Sequence, residues 1–264
     1  MARTLGPGKD KFRKFVSRVT PTVKELPLTH ITDGLRLREI VEAGQIEPIN
    51  CEILGEPLLY FFYGRPAYRP NGKHEPSSLQ SYAPACFVLP PGTVKIKRAF
   101  PFDSGAFEAG RFNDFRHHRM VLEDFHLEPD RKAPQQLITL FYGSLERYFE
   151  NKPIAEMEIP ASEFEVEAYH VMARAEGNKN FDDRATTIEI QTSDSIALTS
   201  KVSAVIMPSN FMKDQSIIEP LEKCGASIIP YEYVRQMRPS EYPSLFYDKI
   251  RRHYVERGFL NETA

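Results

Sequence analysis

The sequence predicts an α+β fold. Most apolar segments have the length of a short strand, and a few segments with helical spacing lie among them without strict alternation. The 21 prolines outnumber the 14 glycines, which favours many short elements and loops over a helical bundle. With 264 residues, 41% of them hydrophobic, the chain has enough material for one large core or slightly more.

Composition narrows the classes of protein to consider. The net charge of −2 argues against a chain that is basic throughout and binds nucleic acid by charge alone. Three widely spaced cysteines favour a reducing compartment over a disulfide framework or a zinc site. Because neither a signal peptide nor a membrane-length apolar run is present, we expect a cytoplasmic protein without a membrane partner. Basic runs occur at residues 9–18, 95–98, 111–119 and 249–252.

The first elements are predicted from caps and spacing. Residues 1–22 form a basic N-terminal segment that contains a short amphipathic helix. The segment LTHIT, residues 28–32, is typical of a short strand. Asp33 follows it and can cap a helix that ends at Gly44.

The central strand is predicted at residues 58–63, a continuous apolar and aromatic run. It breaks at Gly64, and Arg65 then stands before a proline. An arginine fixed in this way is suited to place a permanent cation at the mouth of a pocket. Since side chains alternate along a strand, Tyr60 and Tyr63 face opposite ways, and one of them is expected in the core.

The later elements follow from the same rules. Helices are expected at 134–150, 217–223 and 242–257. Strands are expected at 85–89, 94–97, 154–159, 164–170, 186–191 and 202–207, with a strand or turn at 225–229. Residues 100–113 and 174–183 are predicted as irregular loops, and long structured loops are often functional.

Several motifs are missing from the sequence. It contains no GxxxxGK phosphate loop, GxGxxG, HExxH, GxSxG or paired CxxC. Rossmann hydride transfer, P-loop chemistry, zinc-protease chemistry and serine hydrolysis therefore lose support.

Three candidate residues remain, and each has an ordinary structural alternative. His30 can point into a cleft or be a satisfied, half-buried side chain. Arg65 can bind an anion or pair with a surface carboxylate. Glu189 lies in the strand TTIEIQ, where alternation puts it on one face with Thr187 and Gln191; taken alone, this favours an exposed face.

Taken together, these residues resemble the ADP-ribosyltransferase superfamily, and most closely the DarT-type toxins that modify DNA. The resemblance rests on THITDGLRLREIVEAGQI, then LLYFFYGRPAYRP, then RATTIEIQTSDSI followed by VSAVIMP. It implies an ADP-ribosyltransferase-like α+β domain at residues 23–208, with two small mixed sheets around an NAD⁺ cleft. Residues 209–264 would form a C-terminal extension packed on that domain.

The resemblance assigns roles to the three residues. Cleavage of the bond between nicotinamide and ribose passes through an oxocarbenium-like cation, which a carboxylate stabilises. Glu189 matches that catalytic carboxylate, and Arg65 matches the guanidinium that binds the pyrophosphate or reacting ribose. His30 would orient the ribose or the nicotinamide end.

Further NAD⁺ contacts are implied by the same resemblance, at Thr32, Asp33, Tyr60, Tyr63 and Tyr68. Such a protein would use NAD⁺ as its substrate and need no metal. It would transfer ADP-ribose to a macromolecule, with DNA or RNA favoured, through acceptor loops at residues 100–113 and 175–183. A role as a toxin or anti-phage effector with an antitoxin or defence partner follows from the family by analogy.

Two other classes stay open. An NAD glycohydrolase would use water as the acceptor and needs the same glutamate. A non-catalytic binding module could keep the fold without the reaction. Consumption of NAD⁺, and its loss on removing the Glu189 carboxylate, separates the enzymes from the binding module.

Overall fold

The computed structural model describes residues 10–67, 79–175, 186–234 and 242–262. These residues form an α+β fold. The helices are α1 Lys11–Ser17, α2 Gly34–Ala43, α3 Ser104–Glu108, α4 Lys132–Phe141, α5 Leu145–Phe149, α6 Phe164–Arg174, α7 Gln215–Lys223 and α8 Pro243–Glu256. The strands are β1 Leu28–Asp33, β2 Gln45–Ile46, β3 Ile49–Cys51, β4 Glu56–Tyr63, β5 Pro84–Leu89, β6 Arg98–Phe100, β7 Glu189–Thr192, β8 Ile196–Ala197, β9 Ala204–Pro208 and β10 Ser227–Tyr231.

The chain divides into two interleaved compact units. One, here called the Glu189 unit, comprises the described parts of Met1–Glu25, Ile49–Tyr60 and Ile96–Ser193. The other, the His30 unit, comprises the described parts of Leu26–Pro48, Phe61–Lys95 and Asp194–Ala264. The predicted division into residues 1–22, 23–208 and 209–264 differs from these two units and stays a prediction. Within the described residues, no helix has both the length and the apolar character needed to cross a membrane.

The His30 unit contains a mixed sheet in the order β10, β9, β5, β1 and the end of β4. β9 and β10 run parallel, and the other neighbours are antiparallel. Strands β2 and β8 form a second, two-stranded sheet. The predicted strand, cap, helix and glycine are confirmed: Asp33 Oδ1 accepts a hydrogen bond from Arg36 N at 2.9 Å, and Gly44 ends α2 with φ of 68°.

The Glu189 unit contains antiparallel strand pairs. β3 pairs with the start of β4, β6 pairs with β7, and β7 lies between β6 and β4. The core beside these strands is aromatic: the ring of Phe102 lies 5.2 Å from Phe107 and 5.3 Å from Phe125, centroid to centroid. Aromatic pairs at such distances add packing energy beyond the area that they bury.

The predicted strand at 164–170 is wrong, because this segment begins α6. Its sequence fits both periodicities, with glutamates alternating and apolar residues at helical spacing. The helix buries Val166, Tyr169 and Ala173 together, and the ring of Tyr169 packs against Phe12 and Phe141. Packing of this helix face against Phe12 and Phe141 favours the helix over a strand with one solvent-exposed face.

Other predicted boundaries also need correction. The strands predicted at 154–159 and 94–97 are absent, and the strand β6 begins only at Arg98. The irregular loop predicted at 100–113 contains the end of β6 and the helix α3. The single helix predicted at 134–150 is two helices, because Gly143 adopts a φ of 76° between them.

Most remaining elements are confirmed. The strands predicted at 58–63 and 85–89 lie within β4 and β5, and the strand predicted at 202–207 corresponds to β9. The helices predicted at 217–223 and 242–257 correspond to α7 and α8. The strand predicted at 186–191 begins only at residue 189, and the one at 225–229 begins at residue 227.

Candidate functional site

Glu189 is a buried carboxylate at the start of β7. It pairs with Phe100 of β6, and only 2% of its surface is exposed. Thr187 and Gln191, which share its face by alternation, are also buried. The interpretation of this face as exposed, which the TTIEIQ pattern favours when taken alone, is therefore wrong. A glutamate retained in such a position needs polar partners, because an unpaired buried carboxylate is costly.

Three hydrogen bonds supply those partners. Ser104 N donates to Glu189 Oε2 at 3.0 Å, and Ser104 Oγ lies 2.7 Å from Glu189 Oε1. Gln191 Nε2 donates to the same Oε1 at 2.7 Å. Ser104 is the first residue of α3, and Asp103 caps that helix by accepting from Ala106 N at 2.7 Å. The cap thus fixes the turn that presents both donors of Ser104 to the carboxylate.

The surroundings change the acidity of this carboxyl. Burial raises the pKa of Glu189 to about 8, and the negative charge of Asp103 adds to the effect. The hydrogen bonds from Ser104 and Gln191 oppose this rise because they favour the ionised form. The carboxyl therefore exchanges its proton close to neutral pH, as acid–base and charge-stabilising groups of enzymes often do.

Arg98 fixes the side chain of Gln191. Its Nη1 donates to Gln191 Oε1 at 2.9 Å, and its guanidinium also pairs with Glu56, which binds Lys97 as well. An arginine can only donate, so the amide oxygen of Gln191 must face Arg98 and the amide nitrogen must face Glu189. Burial lowers the pKa of Arg98.

Tyr60 belongs to the same cluster. It is half-buried in β4, and burial raises the pKa of its hydroxyl. A hydrogen bond with Cys51 and the negative charges of Glu189 and Asp103 raise that pKa further. Tyr60 therefore lies close enough to Glu189 for the charge of the carboxylate to act on its hydroxyl.

The other predicted residues lie in the His30 unit. Arg65 is fully buried, and its carbonyl accepts a hydrogen bond from Thr29 Oγ1 at 3.1 Å. The prediction that it lies at a pocket mouth is therefore wrong. Gly64 places it there by a φ of 71° and an amide that donates to Pro27 O at 2.8 Å.

His30 is half-buried between aromatic rings. Its ring centroid lies 5.5 Å from that of Phe61 and 6.5 Å from that of Phe87. Thr32 is half-buried on the same strand, and the carboxylate of Asp33 caps α2.

The predicted tyrosines have different places. Tyr63 is buried, and its hydroxyl accepts a hydrogen bond from Leu26 N at 2.9 Å. Tyr63 is therefore the tyrosine of this strand that belongs to the core. Tyr68 lies outside the described residues, as does nearly all of the predicted acceptor loop at 175–183.

Sequence reasoning missed three residues of the Glu189 cluster. Ser104, Asp103 and Arg98 come from a segment predicted as a strand end and an irregular loop. The Asp-Ser pair after a strand is a helix start signal and could have indicated α3. Nothing in the local sequence connects it with a strand 85 residues later.

Comparison of the chain with protein-family models, curated proteins and solved structures gave no match. Within the described residues, no group of three histidine, cysteine, aspartate or glutamate side chains is placed to hold a metal ion. The site is therefore characterised by its own geometry: a buried carboxylate held by three hydrogen bonds, beside a half-buried tyrosine.

Proposed function

We propose that this protein is an NAD⁺-dependent ADP-ribosyltransferase in which Glu189 is the catalytic carboxylate. The observation that carries the proposal is the buried Glu189, oriented by Ser104 and Gln191. It adds to the sequence resemblance at TTIEIQ, since a carboxylate that stabilises a cationic transition state must be fixed before the reaction.

The reaction breaks the bond between nicotinamide and ribose, and nicotinamide leaves with the electron pair of that bond. The ionised Glu189 stabilises the positive charge that develops on the ribose and can accept a hydrogen bond from its 2-hydroxyl. An acceptor oxygen or nitrogen then forms the new bond to the ribose carbon and loses its proton. Ser104 and Gln191 hold the carboxylate in place, and Arg98 holds Gln191.

The remaining assignments rest on the resemblance. They are an ADP-ribosyltransferase-like fold, NAD⁺ contacts at His30, Arg65 and the other residues named for them, a nucleic-acid acceptor, and a role as a toxin. Arg65 is fully buried and is the least accessible of those residues that the structure describes, so its direct contact with NAD⁺ needs a separate test. Binding of NAD⁺ to Arg65→Lys and His30→Ala supplies that test, with unchanged affinity counting against the assignment.

The deciding experiment uses NAD⁺ labelled in the adenosine half. The protein is incubated with it and with DNA, RNA or protein in separate tubes, next to Glu189→Gln as the control. Label on DNA or RNA that disappears in the control supports transfer to nucleic acid. Free ADP-ribose without a labelled macromolecule identifies a glycohydrolase, and intact NAD⁺ in every tube contradicts both.

A further inference from the structure

A groove of about 580 Å³ lies in the Glu189 unit, between residues 114–120 and the first two turns of α6. This volume is in the range of pockets that bind small organic ligands. The walls carry the apolar side chains of Phe115, Met120, Phe164, Ala168 and Val171. Phe164 and Val171 are 54% and 51% exposed, which is unusual for two large apolar residues beside one groove.

One charged side chain of the groove is buried. Glu165 lines it with only 6% of its surface exposed, and Oε2 is buried and makes no hydrogen bond within the part of the chain that is described. A buried carboxylate oxygen without a partner is costly, and the cost falls when a cation or an N–H donor binds it.

The neighbouring arginine is already engaged. Arg116 donates to Met120 O and, at 2.6 Å, to Asn113 Oδ1. Its guanidinium also lies 4.2 Å from the ring centroid of Phe107. Arg116 therefore forms part of the wall rather than an ion pair with Glu165.

We propose that this groove binds an organic cation, an ammonium or guanidinium group on an apolar stem. The positive group binds Glu165 Oε2, and the stem packs against Phe164 and Val171. Such a group forms a charge-assisted hydrogen bond with a carboxylate and a favourable contact with an aromatic face.

The rim of the groove carries charges of both signs. Arg116, His117 and Arg119 lie along it together with Asp114 and Glu167. The preference for a cation therefore comes from the buried Glu165 rather than from the rim. The cation can come from a free amine or from a lysine or arginine side chain of a partner protein, and the two sources are separated below.

Calorimetry measures the binding of small probes to the full chain. The probes are phenethylamine, its neutral counterpart phenethyl alcohol, and a blocked dipeptide of aspartate and lysine. We expect the alcohol to bind at least about tenfold more weakly than the amine, because it lacks the charge-assisted bond. Binding by the amine alone indicates a small-molecule ligand, and binding by the dipeptide alone indicates a protein side chain.

Variants locate the binding. Glu165→Gln should lower the affinity for the bound probe by at least about tenfold. Glu167 is an exposed glutamate of the same groove, and Glu167→Gln should change that affinity by less than about twofold. Phe164→Ser, at an exposed helix start, should weaken it about threefold without affecting folding. Because Glu189 takes no part, NAD⁺ cleavage and binding in the groove succeed or fail separately.

Three results would overturn the proposal. They are no binding of either cationic probe in the millimolar range, equal binding of amine and alcohol, and unchanged binding by Glu165→Gln. A fourth readout needs no ligand: because Oε2 of Glu165 is buried without a partner, the Glu165→Gln protein should be at least as stable to urea as the wild type. A clear loss of stability would mean that Glu165 serves the fold instead.

Discussion

The buried carboxyl of Glu189 should make the stability of this protein fall as the pH rises. Burial raises its pKa from the ordinary value of 4.5 to about 8, with Asp103 as the second cause. Between these two pH values the folded state keeps the proton that the unfolded state has lost. The contribution to stability is therefore fully present below about pH 4.5, and it is lost as the pH rises through about 8.

The size of the effect follows from the same interval. One pKa unit corresponds to about 1.4 kcal/mol, so the complete change is about 5 kcal/mol, of which roughly 3–4 kcal/mol falls between pH 5 and pH 8. Glu189→Gln cannot ionise and removes this dependence. The variant should therefore gain roughly 3–4 kcal/mol of unfolding free energy relative to the wild type over that range.

Urea unfolding at pH 5, 6.5 and 8, followed by circular dichroism, measures this difference. Glu52→Gln, which removes an exposed carboxylate, is the control and should keep the pH dependence of the wild type. Parallel pH curves for the wild type and Glu189→Gln would contradict this prediction, since they would show that the carboxyl of Glu189 ionises equally in the folded and unfolded states.

Three further predictions follow from the structure. If the ionised Glu189 is the catalytic form, kcat/KM for NAD⁺ should rise about 50-fold from pH 6 to pH 8 and level off above it; a fall over this range would instead assign it as a general acid. Gly64→Ala should lose about 2–4 kcal/mol of stability in urea, because Gly64 has a φ of 71° and a Cβ there would lie 2.5 Å from Leu26 Cδ1. Gly44→Ala, with a φ of 68° and open space around it, should lose only about 1 kcal/mol, and equal losses would contradict the steric argument. Asp33→Ala should cost about 1 kcal/mol in the same assay through loss of the cap, and a similar loss in Asp33→Asn would contradict the capping role, since asparagine also caps.

Local signals in the sequence predicted much of the His30 unit. The cap at Asp33 and the glycine at Gly44 mark both ends of α2, and the apolar run before Gly64 marks β4. These signals act within a few residues of the chain, where propensity and capping decide the conformation. The prediction for the α6 segment was wrong because its sequence fits two periodicities. Packing against Phe12, which is distant in the sequence, decides between them.

The candidate site could be predicted only in part. The alternation that places Gln191 beside Glu189 is local, and the hydrogen bond between them agrees with it. Burial of both side chains depends on α3, where Ser104 covers the carboxylate from 85 residues away. A period-2 pattern shows which residues share a face but not whether that face is covered. The prediction of an exposed face for Glu189 was therefore wrong, because the pattern could not show that α3 covers this face.

Nicotinamide release by the wild type and by Glu189→Gln tests most directly whether Glu189 supports cleavage of the nicotinamide–ribose bond of NAD⁺. Both proteins are assayed at pH 8, where about half of the carboxyl is ionised, after circular dichroism has shown that both are folded. We expect release by the wild type and a fall of about 100-fold or more in kcat in the variant. Equal rates in the two proteins, or no release by the wild type with any acceptor, would contradict this expectation.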